Sequence, residues 1–553
     1  MRKLLILCIL LLGAFTLSAC GGKEEPQEQV DFEEGYLGKY SDTLDVSMIK
    51  YIDPSASSNL AKLTSITGET LEDNRWIRGL KNDLNIQVSY DMTGSGDTFL
   101  TQWSGLMATG NLPDVFQVGY ADYQELLEAD LIWDMTDAYD EYASPLLMSI
   151  IAEGGEEVLD SITVDDNIYG VPQVVSQYDS YKYLWIRRDW MEAVGVTDAP
   201  ASADELIDLM RKFVEDDPDG NGSDDTYAFS LSNDLWHNLE GFFSMYGAYP
   251  DSWVYDSNGD IALGAIQDEI QKPLQKLQTM YQNGWINPEF ITLDYSKSKA
   301  DIANGKAGIF MGAHYNASDF LLPSKNNDPD ADWAVFEWPS DTPGEEVVHQ
   351  LELGVNSILV VNKDFPNPEA AVKMLNYYYE MLYGETGDYE KYGNDQVDLI
   401  WAMGPFFSYR PGINLIPYQD IQKVLNNELT EQDLEGASKD YYESVVIEGK
   451  YDWNIMFGEL PENSTVSGGH PAGYFLEKVS NGEIEYFINR FYGAPTESMA
   501  IVGQQLGLTS LEYFTKAITG EKNTSTDFDE FVEEWLENGG SNITDEINEN
   551  FGD

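Results

Sequence analysis

Met107-Ala108-Thr109-Gly110-Asn111-Leu112-Pro113-Asp114-Val115-Phe116-Gln117-Val118 passes from helix to buried strand across one tight turn. Thr98 to Thr109 reads as a helix stopped at Gly110, because glycine takes the left-handed conformation that closes a helix at little steric cost. Leu112-Pro113-Asp114 turns the chain, and Val115 to Val118 is too short an apolar run for anything but a buried strand. Working outward, Leu44-Asp45-Val46-Ser47-Met48-Ile49 alternates as a strand does. A helical stretch surrounds Asn74 to Leu80, and Ile86-Gln87-Val88-Ser89-Tyr90 alternates again. Strand, helix, strand, helix, strand predicts an α/β chain that opens on a βαβ unit. No short internal repeat interrupts that cadence.

The chain has 553 residues, enough for two large lobes or more, and 42% of them are hydrophobic, so it is globular. Its formal charge is -66, and losing Arg2 and Lys3 with a cleaved leader leaves -68. A surface of that sign repels nucleic acid and anionic lipid, which excludes both as electrostatic partners. Residues 1–20 read as a secretory leader: Arg2-Lys3, an apolar core from Leu4 to Phe15, then Leu17-Ser18-Ala19-Cys20. The apolar run is too short to span a membrane. Leu-Ser-Ala-Cys resembles the lipobox of bacterial lipoproteins, which implies acylation of Cys20 and anchorage at a membrane. Cys8 is the other cysteine, so the mature chain is expected to hold no internal disulfide. Residues 21–42 begin polar and aperiodic and are expected to form a flexible tether.

The Met107 to Phe116 segment resembles the first-lobe signature of family 1 extracellular solute-binding proteins, the sugar and oligosaccharide receptors of ABC importers. Further matches keep order along the chain: Leu131 to Asp137 with Tyr142-Ala143-Ser144-Pro145, Tyr169-Gly170-Val171-Pro172, Leu184 to Trp190, Asn304 to Gly308, Phe491 to Thr496, and the tail Trp535 to Asn548. The last two are most similar to the long, LipO-type lipoprotein branch of Gram-positive bacteria. The resemblance implies a two-lobe periplasmic-binding-protein type 2 fold, with hinge strands and a ligand cleft between the lobes. It puts residues 43–176 and 351–460 in lobe 1, and 177–350 and 461–553 in lobe 2. A monomer on the extracellular face of the cytoplasmic membrane is expected.

Sugars offer apolar C–H faces rimmed by hydroxyls, so a receptor needs aromatic platforms and fixed polar groups. With 13 Trp, 34 Tyr and 23 Phe, the composition permits this. Open α/β sheets bind ligands beyond the carboxyl ends of their strands. Gln117 and Tyr120 lie there, where the resemblance puts first-lobe contacts. It puts Gln177 and Tyr178 at the hinge crossing, Trp236 and His237 where relatives present a second-lobe aromatic, and Tyr315 at the position of a stacking ring. Core packing is the competing reading of each aromatic, and is preferred for Trp133, Trp185, Trp190 and Trp535. Trp401 and Phe406 are weaker candidates for the cleft.

Asp217-Pro218-Asp219-Gly220-Asn221-Gly222-Ser223-Asp224-Asp225 sets oxygen side chains at positions 1, 3, 5 and 9 of an EF-hand loop, with glycine at 6 and the Ser223 carbonyl at 7. Position 12, where a bidentate Glu belongs, is Ala228. An acidic surface turn is the alternative. Shortened loops of this kind bind calcium in some members of the resembled family, so one structural Ca2+ held by Asp217, Asp219, Asn221, Ser223 and Asp225 is expected.

Chemistry is hard to locate. His237, His314, His349 and His470 form no zinc motif, no G-x-S-x-G elbow occurs, and no Gly-Lys pair is followed by Ser or Thr as a P-loop requires. Among 97 acidic residues, a carboxylate pair at glycosidase spacing is expected by chance. The function that the resemblance implies is capture of a carbohydrate and delivery to a membrane permease, with no catalytic residue or catalytic cofactor. A surface glycoside hydrolase or lyase, and a sugar sensor for a membrane kinase, stay open as alternatives.

Overall fold

The computed structural model describes residues 29–551 apart from 53, 394–402, 463 and 494, and leaves out the side chains of 54–59, 97, 237, 296, 550 and 551. The leader, Cys20 and Trp401 lie outside the described residues.

In the first lobe Leu44–Tyr51 runs parallel to Ile86–Gly94, with Leu44 opposite Ile86. The connection uses a helix capped by buried Asn74, whose Oδ1 accepts the Trp76 and Ile77 N–H groups at 2.9 and 3.1 Å. Helix Gly96–Thr109 then ends at Gly110, φ 67°, and the Gly110 N–H donates to the Met107 carbonyl. Val115–Val118 follows and pairs antiparallel with the distant strand Val355–Val361, which pairs on its other side with Val171–Val174. Side chains carry the seam between the two strand groups. Ser47 N–H and Oγ both donate to Asp114 Oδ2, at 2.8 and 2.9 Å, and Asp114 N–H donates back to Ser47 Oγ.

The second lobe is organised on Tyr183–Arg187, flanked antiparallel by Ile309–Gly312 and Trp333–Phe336. Every residue of these three strands is buried, which explains their apolar sequence up to Arg187, whose guanidinium is paired with Asp189 and Asp328. Helix Ala203–Glu215 turns Leu206, Leu209, Met210 and Phe213 onto this core, at the spacing of one helical face. The C-terminal helices close it with Phe528, Phe531 and Trp535, and Tyr513 stacks on Phe531 at 4.3 Å. Trp185, Trp190 and Trp535 are core residues; Trp133 is half-buried and donates its ring N–H to the Phe365 carbonyl at 2.8 Å.

Three expectations need correction. The tether does not extend to residue 42, since residues 29–42 are docked on the first lobe. Phe32 bridges to Tyr40 and meets Tyr142 edge-on, Tyr40 is buried, and Lys373 donates to the Gly35 and Gly38 carbonyls from helix Glu369–Tyr383. The chain does not stay in the first lobe until residue 460. Tyr418, Ile421, Val445, Ile455, Met456 and Phe457 share the apolar core of Trp185 and Trp535. Finally, Phe406 is no cleft residue: it is fully buried in the first core, edge-on to Tyr378.

Candidate binding cleft

Three passages join the lobes. The first runs from Val174 through the single 3-10 turn Gln177–Ser180 to Tyr183. The second is the link from Leu351 to Val355, and the third approaches helix Leu415–Leu425. They are laced together: Val175 N–H donates to the Gly354 carbonyl, Glu352 N–H to Ser180 Oγ, and Tyr409 N–H with Ser408 Oγ to the Val174 carbonyl, each at 3.0 Å. A Cβ on Gly354 would sit 2.7 Å from the Val175 carbonyl oxygen, so this close approach requires glycine.

A cavity of about 270 Å³ opens against these passages. Tyr120, the first residue of helix Tyr120–Glu128, reaches it from the first lobe, with its hydroxyl 2.6 Å from Ser161 Oγ. Ser180, Glu352 and Leu353 come from the crossings. The second lobe adds Lys182, Glu240, Asp251 and Ser252, and the C-terminal portion adds Asn489, Phe491 and Tyr492. Several of these groups are fixed in place. Ser252 Oγ donates to Gln350 Oε1 at 2.8 Å, Asn489 Oδ1 accepts the Trp253 N–H at 3.0 Å, and the Trp338 ring N–H holds the Lys182 carbonyl at 2.7 Å.

The electrostatics centre on Lys182 and Glu240, whose Nζ and Oε2 are 3.6 Å apart. Burial pushes the Glu240 carboxyl up; Lys182 pulls it back while Asp251 and Glu352 raise it further, and the result is about 7. Burial also opposes the Lys182 charge, but Glu240 and Glu352 more than offset it, so the ammonium is held above its ordinary value. His314 and His349 are buried and desolvation depresses them to about 4 and about 3, so both are neutral core residues.

Tyr120 lines the cavity, and Gln177 and Tyr178 stand half-buried in the crossing turn beside Ser180. Gln117 is half-buried within the first-lobe sheet, donating to Ser357 Oγ at 3.1 Å. Trp236 packs its ring edge-on against Phe514 at 5.2 Å and belongs to the margin of the second core rather than to the cavity lining. The His237 side chain is outside the description. Tyr315 is 59% exposed after strand Ile309–Gly312, near enough to Lys182 and Tyr409 to influence their ionisation. Lys182, Glu240, Asp251, Glu352 and Asn489 were not legible in advance. Phe491 and Tyr492 stood within the Phe-Tyr-Gly-Ala-Pro-Thr motif, which was the available signal.

In the acidic loop, Asn221 Nδ2 donates to Asp219 Oδ2 at 2.7 Å and Asp225 Oδ1 at 3.1 Å, while the Gly222 N–H reaches Asp217. Positive φ at Asp217, Gly220 and Gly222 curls the backbone. Asp219 is held above its ordinary value by desolvation, and Asp217 and Asp225 add to the shift. Ala228 at the last position is buried and donates its N–H to the Trp285 carbonyl, so that end of the loop supplies no ligand. Among the described residues, no group of three or more His, Cys, Asp or Glu is arranged to hold a metal ion.

Two α/β lobes, laced crossings and a polar-aromatic cavity between them define a hinged binding protein. The chain belongs to the bacterial extracellular solute-binding protein family, whose profile matches residues 80–381, more than half of its length. Members of that family are binding proteins rather than enzymes. The polygalacturonan/rhamnogalacturonan-binding protein YtcQ of Bacillus subtilis is 23% identical over 412 residues, 71% of this chain and 75% of YtcQ. A human-milk-oligosaccharide (HMO) binding, ABC-transporter-associated protein from Bifidobacterium longum infantis superposes with a TM-score of 0.61 at 15% identity, covering 92% of this chain and 98% of its own. An EF-hand mutant of Streptococcus pneumoniae FusA, in complex with fructo-nystose, gives 0.58 at 15% identity with the same coverages. At that identity the two structures speak to the fold alone.

Proposed function

We propose that this chain is a lipid-anchored receptor that takes an oligosaccharide into the cleft, closes its lobes on it and delivers it to an ABC permease. The observation that carries the reading is the cavity where Tyr120 of the first lobe, Ser180 and Glu352 of the crossings, and Phe491 with Tyr492 of the C-terminal portion meet. Aromatic rings suit the C–H faces of sugars, and the fixed amides and hydroxyls of Asn489, Gln350 and Ser252 suit their hydroxyls. A ligand touching both lobes favours the closed state through contacts that the open state lacks. The polygalacturonan/rhamnogalacturonan-binding name carried by YtcQ supports the same class. Acylation of Cys20 would supply two acyl chains, which meets the requirement for stable anchoring on the extracellular face of the cytoplasmic membrane. Asp217, Asp219, Asn221 and Asp225, with the Ser223 carbonyl, would hold one stabilising Ca2+ away from the cleft.

Calorimetry of the processed, detergent-solubilised protein against a glycan panel tests this. Tyr120→Ala and Phe491→Ala should keep the wild-type melting temperature and each lose about tenfold to a hundredfold in affinity, the value of a large apolar contact. Unchanged affinity in both variants refutes the site. Turnover of a bound glycan would make the protein a hydrolase or lyase instead.

A further inference from the structure

The charge of the cleft narrows the ligand. Among the described residues lining the cavity, Lys182 is the one cation, and three carboxylates, Glu240, Asp251 and Glu352, share its walls. Lys182 is not available to an incoming anion, because Glu240 already holds it at 3.6 Å and Glu352 adds to the field that keeps it charged. Arg410, near the third crossing, is likewise engaged, with Nη2 2.7 Å from Glu153 Oε1. The other polar groups, Ser180, Ser252, Gln350 and Asn489, are neutral hydroxyls and amides. Arg490, between the lining residues Asn489 and Phe491, lays its guanidinium over the Tyr255 and Phe487 rings at 4.9 and 5.9 Å, so a sugar acid entering the cavity itself would bring its carboxylate among like charges, and like-charge juxtaposition in a desolvated site is strongly unfavourable.

We infer that the cleft selects neutral oligosaccharides and rejects polyuronates, although a pectin-binding protein stands among the chain's relatives. The inference rests on the receptor reading above and goes beyond it in naming the class of sugar. Glu240 strengthens the case: half-buried beside Lys182, with Asp251 and Glu352 raising it further, it already resists ionisation, so a further negative charge compounds a penalty that the site carries without ligand. Neutral hydroxyls, in contrast, can donate to Glu352 without adding charge.

The test is calorimetry of the processed protein against galacturonan oligomers, the same oligomers after methyl esterification, alginate oligomers, and neutral fructo-, galacto- and malto-oligosaccharides. We expect at least one neutral glycan to bind about a hundredfold or more tighter than any uronate, with an affinity that changes little between low and high salt, as an uncharged ligand requires. In Glu352→Gln the ratio of uronate to neutral affinity should rise about tenfold. A galacturonan acid that binds as well as its methyl ester, or an alginate oligomer that outcompetes the neutral glycans, overturns the inference and leaves the receptor standing. Binding of no glycan in the panel overturns the receptor reading, and this inference with it.

Discussion

Asp179 offers a test of how the hinge is built. It sits in the crossing turn, its Oδ2 accepting from Asn414 Nδ2 at 2.8 Å, while Oδ1 is buried with no hydrogen-bond partner in full geometry. Desolvation pushes this carboxyl from its ordinary 3.8 up to about 7, and hydrogen bonds from Asn414 and Ser176 reverse only part of that. The folded chain therefore holds the proton more tightly than the unfolded chain, by about 4 kcal/mol over that interval. A raised folded value means that the stabilisation is complete below about pH 4 and is lost as the pH climbs through about 7. Between pH 5 and pH 8 the loss comes to about 2–3 kcal/mol. Asp179→Asn cannot ionise and keeps an oxygen for Asn414, so the variant should escape this loss. For a chain of this length the unfolding entropy is about 1 kcal/mol per kelvin, so the expected gain in melting temperature is about 4 °C at pH 8 and falls to about 1–2 °C at pH 5. Scanning calorimetry on both proteins across that range measures it. The comparison cancels other titrating groups, Glu240 among them, because both proteins carry them. A difference that stays constant with pH, or is largest at pH 5, would refute the assignment of a desolvated carboxylate to the hinge.

Trp190 is buried, meets Phe213 edge-on at 5.4 Å and lies under the Arg187 guanidinium, so Trp190→Ala should cost about 3–5 kcal/mol, read as a lowered denaturation midpoint with glycan affinity preserved in the folded fraction. If the acidic loop holds Ca2+, chelator should lower the melting temperature of the wild type but not of Asp219→Ala, because an ion bound by the native state alone stabilises it by mass action; equal melts with and without chelator would leave a surface turn. Cys20→Ser should move the protein from the membrane fraction to the medium or leave its leader uncut, and membrane retention at normal processed mass would defeat the anchor.

The elements that sequence reading located best were those with a local signature. Gly110 ends its helix in the left-handed conformation, and Val115, Phe116 and Val118 are buried as the short apolar strand requires. Tyr120 could be placed because it follows that strand directly. The packing of Trp236 was not legible because its partner Phe514 lies far along the chain, and nothing in the local sequence separates a ring packed on a distant helix from one facing a cleft. Glu240, Asp251 and Glu352 were lost among 97 acidic residues and Lys182 among 31 basic ones, since a charge becomes a site feature only when folding desolvates it beside others. The third crossing escaped for a similar reason. Helix Leu415–Leu425 is amphipathic in either lobe, and only its packing of Tyr418 and Ile421 decides which. Phe32, Tyr36 and Tyr40 stand out in retrospect, as aromatics spaced through an otherwise acidic segment.

If Cys20 carries the proposed lipid, the docking of that segment on helix Glu369–Tyr383 limits how far the receptor can wander. With Cys20 in the lipid layer, eight residues, Gly21 to Glu28, separate the anchor from the first residues seen against the lobe. Even fully extended, that leash reaches no more than about 28 Å. The body would ride on the bilayer by its first lobe, leaving the second lobe to swing, and would search for its permease within a shell thinner than its own width. Such confinement raises the local concentration of receptor at the transporter without any contact between them. Lengthening the leash with glycine and serine should then slow uptake at limiting sugar while leaving the affinity for sugar untouched.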